Sequence, residues 1–324
     1  MKKFALSVLS IITAVAAYGL NPLVADLEST FLKGEFTTVS GTVTELEKMY
    51  NNQADGDKSL VSDMDLAVAY AYDNFARSAL EYELPATEMS RRFDYVSQML
   101  GQDHYMTVMM STFINRHSQD LKAVDSAMEL VRDERGASSW EYASMVPVKA
   151  EKLMYAGKNK DAIALETETI ALHDNAGRSD SWMKANSLAF RGALKAVQRD
   201  TEGAYADIDK AVDIVNGFKG NEYCGGIQVF GNAVFVYTQT GYFDGAIQAG
   251  QGVDDIFKRI GIADSFVAAK NKHNYASAYA LKKDYAKSLS LYNEVKSAYE
   301  ALGKTDTEEY KRLVRSIDWV KSQK

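Results

Sequence analysis

Four segments recur along the chain at a constant interval and decide its fold: GKNKDAI (157–163), RDTEGAY (199–205), GYFDGAI (241–247) and KDYAKSL (283–289). Their starts differ by 42 residues each time, since 199 − 157, 241 − 199 and 283 − 241 all equal 42. Each segment opens with residues typical of a turn, has a small residue five places later, and then an apolar residue. A fixed interval of this length indicates stacked copies of one supersecondary unit.

Further positions keep the same interval. They form an apolar column, a glycine column, an acidic column and a largely aromatic column: Leu172, Ile214, Ile256 and Ala298; Gly177, Gly261 and Gly303; Asp180, Asp264 and Asp306; and Trp140, Trp182, Cys224, Phe266 and Glu308. The acidic column, with Ser138 one step earlier, stands where helices should begin. We therefore predict that these residues are helix N-caps.

Each unit contains two stretches with apolar residues at helical spacing, roughly 180–197 and 202–216 in the second unit. The turn between them is short, so the two helices should pack antiparallel. The chain has only 3 prolines, which leaves it free to be helical over most of its length. The predicted fold is all-α, with antiparallel helix pairs stacked in series, because one pair cannot bury its apolar faces alone.

The pattern resembles the tetratricopeptide repeat in its 42-residue form, found in kinesin light chains and several bacterial regulators. The resemblance covers about residues 137 to 324 and implies a right-handed superhelix. Its small residue seven places before the turn is matched at three of four positions, the turn glycine at two, and the asparagine nine places before the turn at two. The residues concerned are Ala150, Gly192, Ala276 and the larger Val234; Gly157 and Gly241, replaced by Arg199 and Lys283; and Asn232 and Asn274.

Outside this array the pattern is weaker. Residues 115–121 and 73–79 fall one and two intervals upstream of Gly157 and are predicted to be turns of degenerate units. Residues 27–50 suggest one further helix, and 51–58 a loop. Residues 306–321 form a predicted terminal helix that caps the array. The predicted organisation is a leader (1–25), a degenerate helical region (26–100), the repeat array (101–305) and a capping helix (306–324).

The first residues have the features of a signal peptide. Lys2 and Lys3 precede an uncharged apolar run over residues 4–17. Two cleavage sites are possible, at 14–16 and, less favourably, at 23–25. Cleavage at either removes both lysines, so the net charge changes from −7 to −7 − 2 = −9. We expect a periplasmic or secreted protein with no membrane span after cleavage, the alternative being an uncleaved anchor.

Residues that commonly carry chemistry are scarce. The 4 histidines show no metal-ligand spacing, and no phosphate-binding loop is present. We interpret the pairs Asp207/Asp209 and Asp254/Asp255 as solvated faces and the glycine-rich stretch 217–226 as a linker or hinge. His104 and His273 are the two histidines that could be surface ligands. The acidic balance argues against nucleic acid as a partner. The sequence predicts no catalytic site, no metal and no cofactor.

In the tetratricopeptide family, the first helix of each pair lines a concave face that binds partners. Carrying those positions over gives a predicted partner-binding groove that is apolar and rich in amides, without the paired cations of the chaperone-docking members. The residues assigned to it are Tyr105, Met109, Tyr155, Asn186, Gln228, Phe235, Lys270 and His273.

Three functions are therefore open. The first is an exported scaffold that binds a peptide segment of another protein in this groove. The second is an exported sensor or regulator module that recognises a small ligand or a signalling peptide. The third is a cell-envelope enzyme, which convergent polar residues would favour. An open apolar groove favours the scaffold.

The single cysteine gives a direct test of the repeat register. Cys224 occupies the column of Trp140, Trp182 and Phe266, so its thiol should be buried and unreactive in the native protein. We expect a thiol-specific reagent to label Cys224 only after denaturation. Rapid labelling of the native chain would contradict the register.

Overall fold

The computed structural model describes residues 20–53, 60–82, 84–218 and 223–323, without the side chain of Tyr223. The predicted leader up to residue 19 lies outside these ranges. Throughout the described residues the regular secondary structure is helical, as predicted. The chain divides into two compact units, Met1–Met145 (unit 1) and Val146–Lys324 (unit 2), with the boundary inside one helix.

Unit 1 contains seven described helices and the start of an eighth. They are α1 (Pro22–Ala25), α2 (Leu27–Leu32), α3 (Phe36–Asn52), α4 (Asp63–Leu80), α5 (Ala86–Leu100), α6 (Tyr105–Ile114), α7 (Leu121–Arg135) and the beginning of α8 (Trp140–Tyr155). Helix α4 is central and contacts α1, α2, α3, α5 and α6. Phe31, Tyr72, Phe75 and Trp140 form an aromatic cluster in this unit, and the Phe31 and Trp140 ring centroids are 5.1 Å apart.

Unit 2 continues α8 and adds helices that alternate between first and second members of successive pairs. They are α9 (Asn159–Asn175), α10 (Trp182–Val197), α11 (Thr201–Asn216), α12 (Ile227–Thr240), α13 (Phe243–Arg259), α14 (Phe266–Leu281), α15 (Tyr285–Ala301) and α16 (Glu308–Lys321). Each first helix contacts its own partner and the next first helix: α10 contacts α11 and α12, and α12 contacts α13 and α14. This is the packing of a helical repeat solenoid.

The turns inside the pairs share one backbone geometry. Gly157, Arg199, Gly241 and Lys283 all adopt a left-handed conformation, with φ of 73°, 64°, 85° and 70°. The next amide then bonds back to the first helix, as from Asp200 N to Lys195 O at 3.0 Å. Arginine and lysine therefore occupy a conformation that costs L-residues about 1–2 kcal/mol.

Three predictions about the elements need correction. The N-caps are the hydroxyl residues one place after the predicted ones, because Ser139, Ser181, Ser265 and Thr307 accept the capping hydrogen bonds. The predicted helix over 27–50 is two helices, separated at Gly34, where φ is 80°. Residues 73–79 lie inside α4, and the turn occurs at the left-handed Glu81.

A shorter repeat explains the misplaced turn. The glycines that end second helices, Gly101 and Gly136, are 136 − 101 = 35 residues apart, whereas Gly261 and Gly303 are 303 − 261 = 42 apart. Extending the longer interval upstream therefore places the turn too early by 42 − 35 = 7 residues, about two helical turns. The turn at 115–120, only one interval upstream, is correctly predicted.

Most core positions in unit 2 are apolar, but one of them holds a buried carboxyl group. Glu166 is 0% exposed and stands one interval before the buried Ile208, since 208 − 166 = 42. Burial raises the pKa of its carboxyl to about 8, and Ser187 and the positive charge of Arg191 offset this only in part. Glu166 is therefore neutral in the folded protein at pH 7.

Glycine should stabilise the two turns in which Arg199 and Lys283 adopt the left-handed conformation. Arg199→Gly and Lys283→Gly should each raise the free energy of unfolding by roughly 0.5–1 kcal/mol, the relieved strain less the extra freedom of glycine in the unfolded chain. Gly157→Ala is the converse control, because an added Cβ there meets nothing within 4 Å and only the backbone is strained. It should destabilise by about 1 kcal/mol. Urea denaturation measures all three, and destabilisation by either glycine variant would contradict the geometry.

Glu166 predicts a loss of stability with rising pH. Its pKa is raised in the folded state from 4.5 to about 8, so its favourable contribution is complete below pH 4.5 and is lost progressively up to pH 8. Glu166→Gln should flatten the decline in melting temperature between these values, whereas the exposed Glu168→Gln on the same helix should not. Equal pH profiles for wild type and Glu166→Gln would contradict a buried neutral carboxyl.

Candidate binding surface

Each first helix of unit 2 leaves one face uncovered by its neighbours. On α14, the half-exposed or exposed residues Lys270, Asn274, Ser277 and Leu281 are spaced by four, three and four positions. That spacing places them on a single helix face. The other faces of α14 are buried against α12, α13 and α15, as Ala268, Ala276 and Ala280 show.

The same positions in the preceding first helices follow the 42-residue interval. We call the combined set the first-helix surface. Its members are Glu151 and Tyr155 on α8; Asn186, Phe190 and Val197 on α10; Gln228, Asn232, Phe235 and Gln239 on α12; and Lys270, Asn274, Ser277 and Leu281 on α14. The equivalent Val148 and Ala193 are buried and do not belong to it. Helix α12 packs against both α10 and α14, so the exposed faces of these three helices adjoin.

Exposed apolar side chains run across the C-terminal ends of these helices. Tyr155 is 73% exposed, Val197 48%, Phe235 38% and Leu281 46%. We call these four residues the apolar row. Tyr155, Val197 and Leu281 share one column, since 197 − 155 = 42 and 281 − 197 = 84, and Phe235 lies one turn before that column on α12. Single exposed apolar residues are common, but a series repeated on consecutive helices is the pattern of an interaction surface.

The rest of the first-helix surface is polar with few charges. Asn186, Gln228 and Asn232 are half-exposed, and Asn274 is exposed. Their amides make no side-chain hydrogen bond to other described residues. Each amide has one acceptor and two donors in a plane. These groups can therefore bond the N–H and C=O groups of an extended chain.

The structure places the predicted groove residues differently. Five of them lie on the first-helix surface: Tyr155, Asn186, Gln228, Phe235 and Lys270. Met109 does not line a surface, because it is 0% exposed in the core of unit 1 with Met106 and Met110. In the same unit, the Arg135 guanidinium lies over the half-buried Tyr105 ring at 4.7 Å.

His273 also needs correction, as it was expected to be a surface group. It is 2% exposed and packs edge-on against Tyr292, with ring centroids 5.4 Å apart. Burial, reinforced by the charge of Arg312, lowers its pKa to about 4. The histidine is therefore a neutral core residue at pH 7.

Other candidate groups have structural roles. His104 caps α6 by accepting from the Met106 amide at 3.3 Å. Cys224 is buried, as its column predicts. Gly225 and Gly226 are packed rather than loose, because an added Cβ would lie 2.6 Å from Trp182 and Val215 respectively. Within the described ranges, no cluster of three potential metal ligands occurs, and no described helix is long and apolar enough to cross a membrane.

The sequence pattern does not predict the buried ion pairs of the structure. Asp207, predicted to be solvated, is 3% exposed and receives two bonds from Arg191, at 2.6 and 2.7 Å, and an ion pair from Lys195 at 2.8 Å. Burial alone raises its pKa, but these cations outweigh burial and hold the pKa of the carboxyl below its usual value. The group ties α10 to α11.

Unit 1 has two comparable clusters. Arg92 Nη1 donates to Asp73 at 2.6 Å, joining α5 to α4. The Trp140 indole and the Tyr72 hydroxyl donate to Glu28 at 2.9 and 3.2 Å. Burial and the nearby charge of Glu141 raise the pKa of Glu28 to about 7. These polar groups converge between packed helices and bridge them.

Comparison with known proteins identifies the fold and nothing finer. No protein-family model and no curated protein matches the chain. Among solved structures, a Rap protein complexed with Competence and Sporulation Factor is similar over 93% of this chain and 97% of its own, with 10% identity and a TM-score of 0.50.

Two further structures are similar at lower scores. A putative kinesin light chain with nearly identical TPR-like repeats, from Podosopora anserina, aligns over 68% of this chain and 100% of its own, with 12% identity and a TM-score of 0.45. The Cut9 and Hcn1 assembly of the APC/C aligns over 91% of this chain and 55% of its own, with 12% identity and a TM-score of 0.37.

Proposed function

We propose that unit 2 is a peptide-binding scaffold that holds an extended segment of another protein across its first-helix surface. The observation that carries this proposal is the apolar row, which places one exposed apolar side chain on each of four consecutive first helices. Covering those side chains removes apolar area from water and is favourable by about 25 cal/mol per Å².

The amides give the same surface a means of holding a main chain. An extended peptide brings unpaired N–H and C=O groups, which must find partners when they lose water. On the first-helix surface, both donors and acceptors are supplied by the amides of Asn186, Gln228, Asn232 and Asn274. The combination of apolar side-chain sites with main-chain partners is common in peptide recognition.

The similar fold of the Rap protein supports the same class of function, since that protein was solved with Competence and Sporulation Factor bound. It also supports the second candidate, a sensor module that recognises a signalling ligand. The two candidates differ in whether binding changes the conformation of the scaffold. Small-angle scattering with and without a selected peptide distinguishes them, because a sensor should change its dimensions and a passive scaffold should not.

Export is part of the proposal and rests on the sequence of residues 1–25. Of the two cleavage sites, we favour 14–16. The site at 23–25 falls in α1, where Val24 is 3% exposed. The preceding Asn21 donates to Leu60 O at 2.7 Å, and cleavage after residue 25 would remove both contacts. Mass spectrometry of the processed chain gives the site.

The apolar row predicts a specific loss of binding. A random dodecapeptide phage library panned on the wild-type chain supplies the ligands. Phe235→Ala and Tyr155→Ala should each weaken binding of a selected, fluorescein-labelled peptide by about 2 kcal/mol or more, roughly thirtyfold. Because both side chains are exposed, helicity and melting temperature should change little.

Leu302→Ala is the matched control. Leu302 is 39% exposed, which is nearly the same exposed fraction as that of Phe235. It directly follows a second helix, however, and is not in the apolar row. Fluorescence anisotropy should show wild-type affinity for this variant. Equal affinities for all the variants would place binding elsewhere and overturn the proposed function.

A further inference from the structure

Basic side chains follow the apolar row along its edge. Lys158 comes three residues after Tyr155, Arg199 two residues after Val197, and Lys283 two residues after Leu281. All three are exposed. Within the described residues none of them forms an ion pair.

Three acidic groups of these turns already make other contacts. Asp200 and Asp284 cap their helices by accepting from Gly203 N at 2.9 Å and Lys287 N at 3.1 Å. Asp244 is paired with Lys282 at 2.5 Å. Asp161 and Glu202 are exposed in the first turns of α9 and α11, further along the chain from the row. Although the chain has a net charge of −7, Lys158, Arg199 and Lys283 therefore stand exposed at the edge of the row without an ion-pair partner among the described residues.

Two of these cations occupy strained positions. Arg199 and Lys283 have φ of 64° and 70°, where the equivalent turns use Gly157 and Gly241. A non-glycine residue in this conformation is strained, and such strain is concentrated at functional sites. The exposed cations are thus present at the two turns despite a backbone geometry that favours glycine.

The spacing of the row limits the conformation of its ligand. Packed helices lie about 8–10 Å apart, and α10, α12 and α14 are packed in this way. A polyproline II segment advances about 9 Å in three residues and directs every third side chain to the same side. A peptide crossing the helices in this conformation therefore places one side chain on each helix.

We infer that the partner segment is an acidic, extended peptide with apolar residues at every third position, whose carboxylates face Lys158, Arg199 and Lys283. This inference rests on the proposed function and specifies the chemistry of the partner. The apolar residues occupy the apolar row. The acidic residues lie between them, towards the turns, where they meet the cations without displacing the existing helix caps.

The test uses the same phage selection, now read by sequencing. The selected peptides should be enriched in Asp and Glu and have apolar residues at i, i+3 and i+6. The double variant Arg199→Gln, Lys283→Gln keeps a β-carbon at both strained turns and removes both charges. It should bind a selected acidic peptide roughly three- to tenfold more weakly at low salt, with a shallower salt dependence. Lys210→Gln, at an exposed position of α11, is the matched control and should bind normally.

The outcomes separate the inference from the proposed function. Peptides that depend on Phe235 but are neutral or basic would overturn the inference and leave the function standing. A selection that yields no Phe235-dependent peptide would overturn both. Binding to vesicles of phosphatidylserine and phosphatidylcholine that the double variant abolishes, with no acidic peptides selected, would assign the cations to a lipid surface and also overturn the inference.

Discussion

The close approach of the two helices in each pair is the constraint on which the rest of unit 2 depends. At the crossing of α10 and α11, a Cβ on Gly192 would lie 3.1 Å from the Ala204 carbonyl oxygen and 3.3 Å from Ile208. Ala162, Ala204, Ala246 and Ser288 are all 0% exposed at this contact. Small side chains allow the backbones of α10 and α11 to approach this closely, and the second helix of every pair has a small buried residue at this position.

This contact explains why the sequence predicts the fold of unit 2 so well. Small residues, glycines and caps are local requirements, and each repeats with the helix pair that needs it. In unit 1 the prediction fails at residues 73–79, because the 42-residue interval does not hold where Gly101 and Gly136 are only 35 residues apart. The N-caps were misplaced by one residue because Asp180 and Ser181 are both good capping residues, and only the backbone decides between them.

The candidate surface could be predicted only in part, for a different physical reason. Periodicity indicates which residues share a helix face but not whether a neighbouring helix covers it. Tyr155 and Phe235 were assigned to the surface and are exposed, whereas His273 was assigned to it and is buried. The ion pair of Asp207 with Arg191 crosses between helices, so no spacing along one helix could have revealed it.

The apolar row takes one residue from each helix pair, which has a consequence for how such a protein changes its ligand. Each helix pair contributes one row position, and in the proposed binding mode each position corresponds to three residues of peptide. Gain or loss of one 42-residue unit would then lengthen or shorten the recognised motif by three residues, with the remaining positions kept in phase. The number of helix pairs would then set the length of the recognised motif, and each duplication of a gene segment that encodes one pair would extend it by one apolar position.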